Sequence, residues 1–233
     1  MKKLKTFIKG ETINLSKPTL EFAKESNWYS WVNDRIMNKH LLSKYRKQKN
    51  TPTKQVKYYL SERKKRFMLI ISTKNNVYKG IVSLSNFNKT KNSCEIALIT
   101  DTNIDPYQAP YAPLEAIARI SEYAFKNLGI KIINSGGKIE LKRWFQRMEL
   151  LGFKMVTIVE EHYKNKKKQP TYYNNSCGYE DYIKIKKKRK YFWDNLKNMK
   201  KRINKLPKKN MFDVYSEYVD SYKKKYYKKI FNL

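Results

Sequence analysis

The chain has 233 residues, 40% of them hydrophobic, with 19 Tyr, 10 Phe and 4 Trp and a formal net charge of +32. That length supports one α/β domain of roughly 150 to 200 residues with an appendage and is short for two full domains. No apolar run approaches the roughly 18 residues that span a bilayer, so no transmembrane segment is expected.

The first stretch, MKKLKTFIKGETINLSKP, has a basic head but no apolar core, so export is not expected and the protein reads as cytoplasmic. ETINLSKPTL predicts a first strand entering a turn at Pro18. EFAKESNWYSWVNDRIMNKHL predicts an amphipathic helix with Phe22, Trp28 and Trp31 on one face. TPTKQVKYYLSERKK opens with a Thr cap and Pro52 in the first turn, a helix start. RFMLIIST, YKGIVSLSNF and SCEIALIT, separated by KNN and NKTKN, predict an antiparallel meander. The helix that follows sets Leu114, Ile117, Ser121, Ala124, Phe125 and Leu128 on one face and ends at Gly129. IKIINS predicts a short buried strand, Gly136 and Gly137 a turn, and IELKRWFQRMELLGF a helix ending at Gly152. KMVTIVEEHY and EDYIKIK predict a last strand pair joined by the polar loop KNKKKQPTYYNNSCGY. Cys94 and Cys177 fit no metal or redox spacing and are expected to be reduced structural thiols.

The expected architecture is a single mixed, mostly antiparallel twisted sheet flanked by helices, over residues 1–190, followed by a Lys/Tyr-rich helical extension over 191–233. The extension reads as two helices split near Pro207, with Tyr215, Tyr218, Val219, Tyr222 and Tyr226 forming a stripe on the second. Such a stripe suits packing on the domain or on a second copy in a homodimer, or on an anionic surface. Residues 184–233 carry 18 Lys/Arg against 4 Asp/Glu. Of the 52 basic residues only 9 are Arg, and Asn, Ile and Tyr are abundant. The charge therefore reads either as codon bias or as a polyanion site.

The element order and three phrases carry a resemblance: WVND at Trp31 to Asp34, YKGIVSLSNFNKTKNSCEIALIT, and PLEAIARISEYAFKNLGIKII with the later LLGF. Over roughly residues 10 to 188 the chain resembles the GNAT superfamily of acetyl-CoA-dependent N-acetyltransferases, nearest the branch of ribosomal-protein alanine and amino-sugar acetyltransferases. The resemblance implies that Cys94 to Thr100 is a strand splayed from its neighbour, whose backbone pairs with the pantetheine arm. It also implies that the next helix aims its N-terminus at the pyrophosphate, where N–H groups and the helix dipole favour an anion. The implied cofactor contacts are Leu98, Ile99, Thr100, Gln108, Ala109, Pro110, Tyr111, Ala112, Pro113 and Leu114. The family loop runs Gln or Arg, two free positions, Gly, one free position, Gly or Ala; over Gln108 to Pro113 only the Gln agrees. Tyr111 puts a ring where backbone approaches phosphate, and Pro113 removes an N–H donor. The family's Asn, Ser and Tyr general acid fall on Leu141, Trp144 and Met148, so the acetyl-CoA motif is degenerate.

N-acetylation needs a neutral amine, an oxyanion donor and a route for the amine proton. The donor is expected near Leu98 or Ile99. Glu95 is the leading general-base candidate, directly or through water, and Asp101 the second; Glu95 also reads as a cross-strand partner for a lysine. Tyr107 or Tyr111 stands where it could replace the acid. Trp31, Asn33, Asp34 and Arg35 fall where the resembled branch lines its acceptor cleft, although Trp31 reads equally well as core. His40 and His162 have no ligand partners in sequence, and no metal is expected. A strongly basic protein suits a small, phosphate-bearing amine such as a nucleotide-linked amino sugar, an expectation that rests on the family analogy. The competing class is a non-catalytic member of this fold that binds nucleic acid or an anionic surface through its basic tail.

Overall fold

The structure, a computed structural model, describes residues 3–34, 49–101, 111–162, 168–209 and 211–215. Eight strands form one sheet: β1 (Thr6–Lys9), β2 (Ile13–Ser16), β3 (Phe67–Thr73), β4 (Tyr78–Asn88), β5 (Ser93–Thr100), β6 (Ile132–Lys138), β7 (Lys154–His162) and β8 (Lys168–Gly178), in the order β1-β2-β3-β4-β5-β6-β8-β7. Every neighbouring pair is antiparallel except β5 and β6, which run parallel across the helical crossover α4 (Tyr111–Asn127). The expected single mixed, mostly antiparallel sheet is therefore present.

The alternation of β3 to β5 sorts their side chains onto two faces. Leu69, Ile71, Val82, Leu84, Cys94 and Ile96 join one core with Leu114, Ile117, Ile120 and Ala124 of α4. Met68, Ile70, Ile81 and Ile99 point the other way, into a cluster with Phe22, Trp28, Trp31 and Tyr59. Those four come from α1 (Leu20–Glu25), α2 (Trp28–Trp31) and α3 (Pro52–Glu62). Thr19 and Thr51 cap α1 and α3 by accepting from Phe22 N and Lys54 N. Asn76 (φ 62°) and Asn92 (φ 47°) supply the left-handed turn residues of the meander.

A short 3₁₀ turn (Ile139–Leu141) leads into α5 (Lys142–Glu149), and β8 is followed by α6 (Tyr179–Arg189), α7 (Leu196–Asn204) and α8 (Met211–Tyr215). Phe192, Trp193, Met199 and Ile203 enter the α4 core, so this segment folds back on the sheet. Tyr215 packs with Phe145 and Tyr173, and its hydroxyl donates to the Ile139 carbonyl at 2.9 Å. Tyr218, Val219, Tyr222 and Tyr226 of the expected stripe lie outside the described residues.

Five expectations are corrected. A short edge strand, β1, precedes the expected first strand, and the single first helix is two, broken at Ser26 and Asn27. Gly136 and Gly137 lie inside β6 and make no turn. A Cβ on Gly136 would sit 2.7 Å from the Tyr173 carbonyl and one on Gly137 2.8 Å from the Tyr173 hydroxyl, so these glycines let β8 side chains cross the β6 backbone. The expected polar loop contains β8, in which Tyr173, Asn175 and Cys177 alternate inward. EDYIKIK is part of α6, with Glu180 and Asp181 in its first turn and Lys186 to Arg189 in its last, a charge order that favours a helix.

Candidate active site

β5 and β6 pair only at Ser93–Ile132, Cys94–Ile133 and Glu95–Asn134. On their outer sides both strands stay paired, β5 with β4 as far as Thr100 and β6 with β8 as far as Lys138. The two strands therefore part beyond Glu95 and Asn134, and Ile96 to Thr100 present a backbone edge that no longer pairs with β6. Such an edge offers donors and acceptors to an extended ligand. This is the splayed strand expected from the sequence, and its opening lies at the end of β5 that leads towards α4.

On the α4 side of the cleft, Leu98 is half-buried against the core, while Ile99 turns to the α1–α3 cluster and Thr100 pairs with Gly80. Tyr111 heads α4, half-buried, with the Lys200 ammonium 5.5 Å from its ring centroid. Burial, and then the like charge of Arg143, hold the Arg147 guanidinium below its ordinary pKa, with Tyr111 acting in the opposite sense. Two cations, Lys200 and Arg147, thus lie near Tyr111 at the head of α4. Ala112, Pro113 and Leu114 are buried, so only their backbone could meet an anion, and of the first three helical residues Pro113 has no N–H to offer. Gln108, Ala109 and Pro110 lie outside the described residues. Met148 is 1% exposed and belongs to the core, so α5 offers no phenol there; Leu141 and Trp144 likewise pack on apolar clusters.

On the opposite face, Glu95 is exposed and accepts from the Asn86 carboxamide at 2.7 Å. Asn86 reaches it because β4 bulges between Ser85 and Asn88, with Asn86 at φ 51°. Asp101 closes the strand end, its N–H donating to the Lys79 carbonyl at 2.8 Å. Trp31 is 2% exposed within the helical cluster, and Asn33 braces the chain by bonding both the N–H and the carbonyl of Asn50. Asp34 is half-buried beside them; Arg35, His40 and Tyr107 lie outside the described residues.

Two residues escaped the sequence reading because their strand was read as a loop. The Tyr172 ring lies over Gly136 on the Glu95 face, and burial, then the Glu95 carboxylate, hold its phenol above the ordinary value. Asn175, on the α4 face, is 2% exposed, and among the described residues neither of its side-chain polar atoms has a partner. A splayed backbone edge, clustered cations and an orphaned carboxamide fit an anionic, amide-bearing co-substrate. Among the described residues no group of three or more His, Cys, Asp or Glu could hold a metal, and no helix is long and apolar enough to cross a membrane.

No protein-family model matches the chain, and no curated protein matches it in sequence. Solved structures do match in shape. A spermidine N-acetyltransferase SpeG chimera from Vibrio cholerae and hSSAT shares 15% identity over 75% of this chain and 99% of its own, with a TM-score of 0.60. The microcin C7 self-immunity acetyltransferase MccE, solved with acetyl-CoA and AMP, shares 19% identity over 72% of this chain and 93% of its own, with a TM-score of 0.57. A putative acetyltransferase shares 15% over 80% of this chain and 96% of its own, at 0.56. At these identities the likeness shows the fold, which is the GNAT-like one.

Proposed function

We propose that the chain is an acetyl-CoA-dependent N-acetyltransferase acting on a primary amine of a small acceptor. The observation that carries the reading is the parting of β5 from β6 after Glu95 and Asn134, which leaves Ile96 to Thr100 as an edge for an extended acyl carrier. Acetyl-CoA supplies the thioester: the amine nitrogen bonds to the acetyl carbon, the carbon–sulfur bond breaks, and the thiolate leaves to be protonated. A backbone N–H at Leu98 or Ile99 stabilises the oxyanion. Glu95, oriented by Asn86, takes the amine proton directly or through water. Tyr172, whose phenol burial holds above its ordinary pKa, is on the Glu95 face and serves as the acid in place of Met148, with Tyr111 the other candidate acid and Asp101 the second candidate base.

The floor on the Glu95 face is polar, with Asn134, Tyr172 and Asn174, and Asn174 donates to the Thr157 hydroxyl at 3.0 Å. Such a floor suits a hydroxylated acceptor more than an apolar one. The +32 charge disfavours a polycationic amine and favours one that carries phosphate, such as a nucleotide-linked amino sugar.

The test is a calorimetric titration with acetyl-CoA at moderate salt, with ATP as control. Micromolar, salt-tolerant binding that prefers acetyl-CoA is expected. In an amine-acceptor assay Glu95→Gln is expected to lower turnover by roughly a hundredfold or more with cofactor affinity nearly unchanged. Weak binding shared equally with ATP and lost in salt sinks the proposal. It would favour the second reading, a polyanion-binding member of the fold, supported by the basic last turn of α6, Lys186 to Arg189, and the neighbouring Lys201 and Arg202 of α7.

A further inference from the structure

Residues 184–209 hold thirteen Lys and Arg and one acidic residue, Asp194, while residues 111–160 of the same chain hold eight basic residues and five acidic ones. A compositional bias acts on the whole chain and does not explain that contrast. The structure fixes where the charges go. α6 turns Tyr182 and Ile185 inward and α7 turns Met199 and Ile203 inward, so both helices are docked on the core. Their outer sides carry Lys184, Lys187 and Lys188 on α6, and Lys197, Lys201 and Lys205 through the end of α7, each set at the three- and four-residue spacing of one helix face. All six are exposed, and none forms an ion pair among the described residues; the nearby carboxylates are taken, Asp194 by Arg202 at 2.9 Å and Glu122 by Lys126 at 2.7 Å. In the link between the helices, Lys190 (φ 69°) and Asp194 (φ 66°) take left-handed backbone without being glycine. The turn they make buries Phe192 and Trp193, at 0% and 1% exposure, and leaves Tyr191 at 63%, the most exposed large hydrophobic side chain among the described residues.

Rows of lysine alone fit any polyanion, and the apolar side chains decide among them. A helix that lies on an anionic membrane needs apolar residues to enter the lipid, and those of α6 and α7 are spent on the core. A free aromatic ring between two lysine rows instead complements an unstacked base, which a duplex keeps covered. We infer that α6, the 190–195 link and α7 form a binding surface for single-stranded nucleic acid, with the lysines on its phosphates and Tyr191 stacked on a base. None of these residues is assigned to acetyl transfer, so the inference holds whether or not the chain is a catalyst.

The experiment titrates the full chain, over a range of salt, with an oligouridylate of about 12 nucleotides, a duplex of the same length, inorganic polyphosphate and phosphatidylserine vesicles. Three proteins are compared: wild type, Tyr191→Ala, and the triple variant Lys184→Gln, Lys187→Gln, Lys188→Gln. Wild type is expected to prefer the single strand to the duplex and to the vesicles. Tyr191→Ala should bind the oligouridylate about tenfold more weakly and polyphosphate as wild type does, since polyphosphate has the charge but no base to stack. The triple variant should lower the slope of log affinity against log salt by about 2, at roughly 0.7 for each lost phosphate contact. No binding by wild type, an equal or higher affinity for duplex or vesicles, an indifferent Tyr191→Ala or one that weakens both polymers alike, or an unchanged slope each overturns the inference. If a variant does not fold, the Tyr191 ring resonances of wild type decide. They should shift with the oligouridylate and stay put with polyphosphate; any other response overturns it.

Discussion

Glu115 and Asn175 are both buried on the α4 side of the sheet, at 0% and 2% exposure, and they differ in every other respect. Glu115, a charge, is surrounded by donors: the N–H groups of Glu11 and Thr12, the Thr12 hydroxyl at 2.6 Å, and the Arg119 guanidinium at 3.1 Å. Gly10 leaves room for it, since a Cβ there would lie 2.7 Å from its Oε1. Glu11 in turn accepts from the Trp193 indole and from Leu196 N–H, so the β1–β2 turn, α4 and the start of α7 meet at one point. Asn175, a neutral amide, has no partner among the described residues. A buried polar group whose partners are in the chain holds the fold together, and one without them carries its desolvation cost with no bond to offset it.

The largest way to break that comparison is Glu115→Ala. It strips the Arg119 guanidinium and two backbone N–H groups of their common acceptor, and the expected loss is about 3–5 kcal/mol in urea unfolding. A loss below about 1 kcal/mol would mean that the donors find water, and that Glu115 is no more essential than Asn175.

The dryness of the Asn175 layer can be tested by pH. Cys177 is two positions along β8 on the same face, and burial, with Asp181 adding and Lys154 subtracting, pushes its thiol up to about 12. Cys94, across β6, is pushed up to about 12 by burial and then by Glu95. A thiol that is neutral when folded and ionises at its ordinary value of about 8.5 when unfolded contributes its full stability below that pH. That stability is lost as pH rises from about 9 towards 12, because the unfolded chain releases protons first. Each thiol should contribute a slope of about 1.4 kcal/mol per pH unit. Replacing Cys177 by Ala should remove its share of the slope, and alkylation of the native protein at pH 8 should be slow. Rapid alkylation would place water in the layer and give Asn175 an ordinary partner.

Much of the fold could be read from the sequence wherever one physical signal acted alone. β3 and β4 are short runs buried on both faces, the turns of the meander carry Asn at positive φ, and α4 carries a continuous apolar stripe. The parting of the strands was legible through element order, because Leu98, Ile99 and Thr100 lie on a strand that precedes a long helix in sequence. Reading failed where signals conflicted. Tyr172 to Ser176 look like a polar loop because inward and outward positions are both polar, and their alternation emerges only against Gly136 and Gly137. The Ile-Lys-Ile-Lys of α6 mimics a strand period, while the charges at its two ends, at helix spacing, prevail. Glu115 carries no sequence signal beyond its i,i+4 spacing to Arg119, since the turn that surrounds it lies more than a hundred residues away in sequence.

The finest test of the Glu115 cluster is Thr12→Val, which keeps the shape and removes only the hydroxyl that donates to Glu115 Oε2. The carboxylate keeps its other donors, so the expected loss is about 1–2 kcal/mol, as for a single hydrogen bond to a charge. The informative quantity is the same substitution made in Glu115→Ala. There the hydroxyl has already lost its acceptor, so removing it should cost nothing or gain slightly, leaving a coupling energy of about 1 kcal/mol or more. An equal cost in both backgrounds would mean that the hydroxyl acts through some other contact, and that the turn is held by packing instead of by the buried charge.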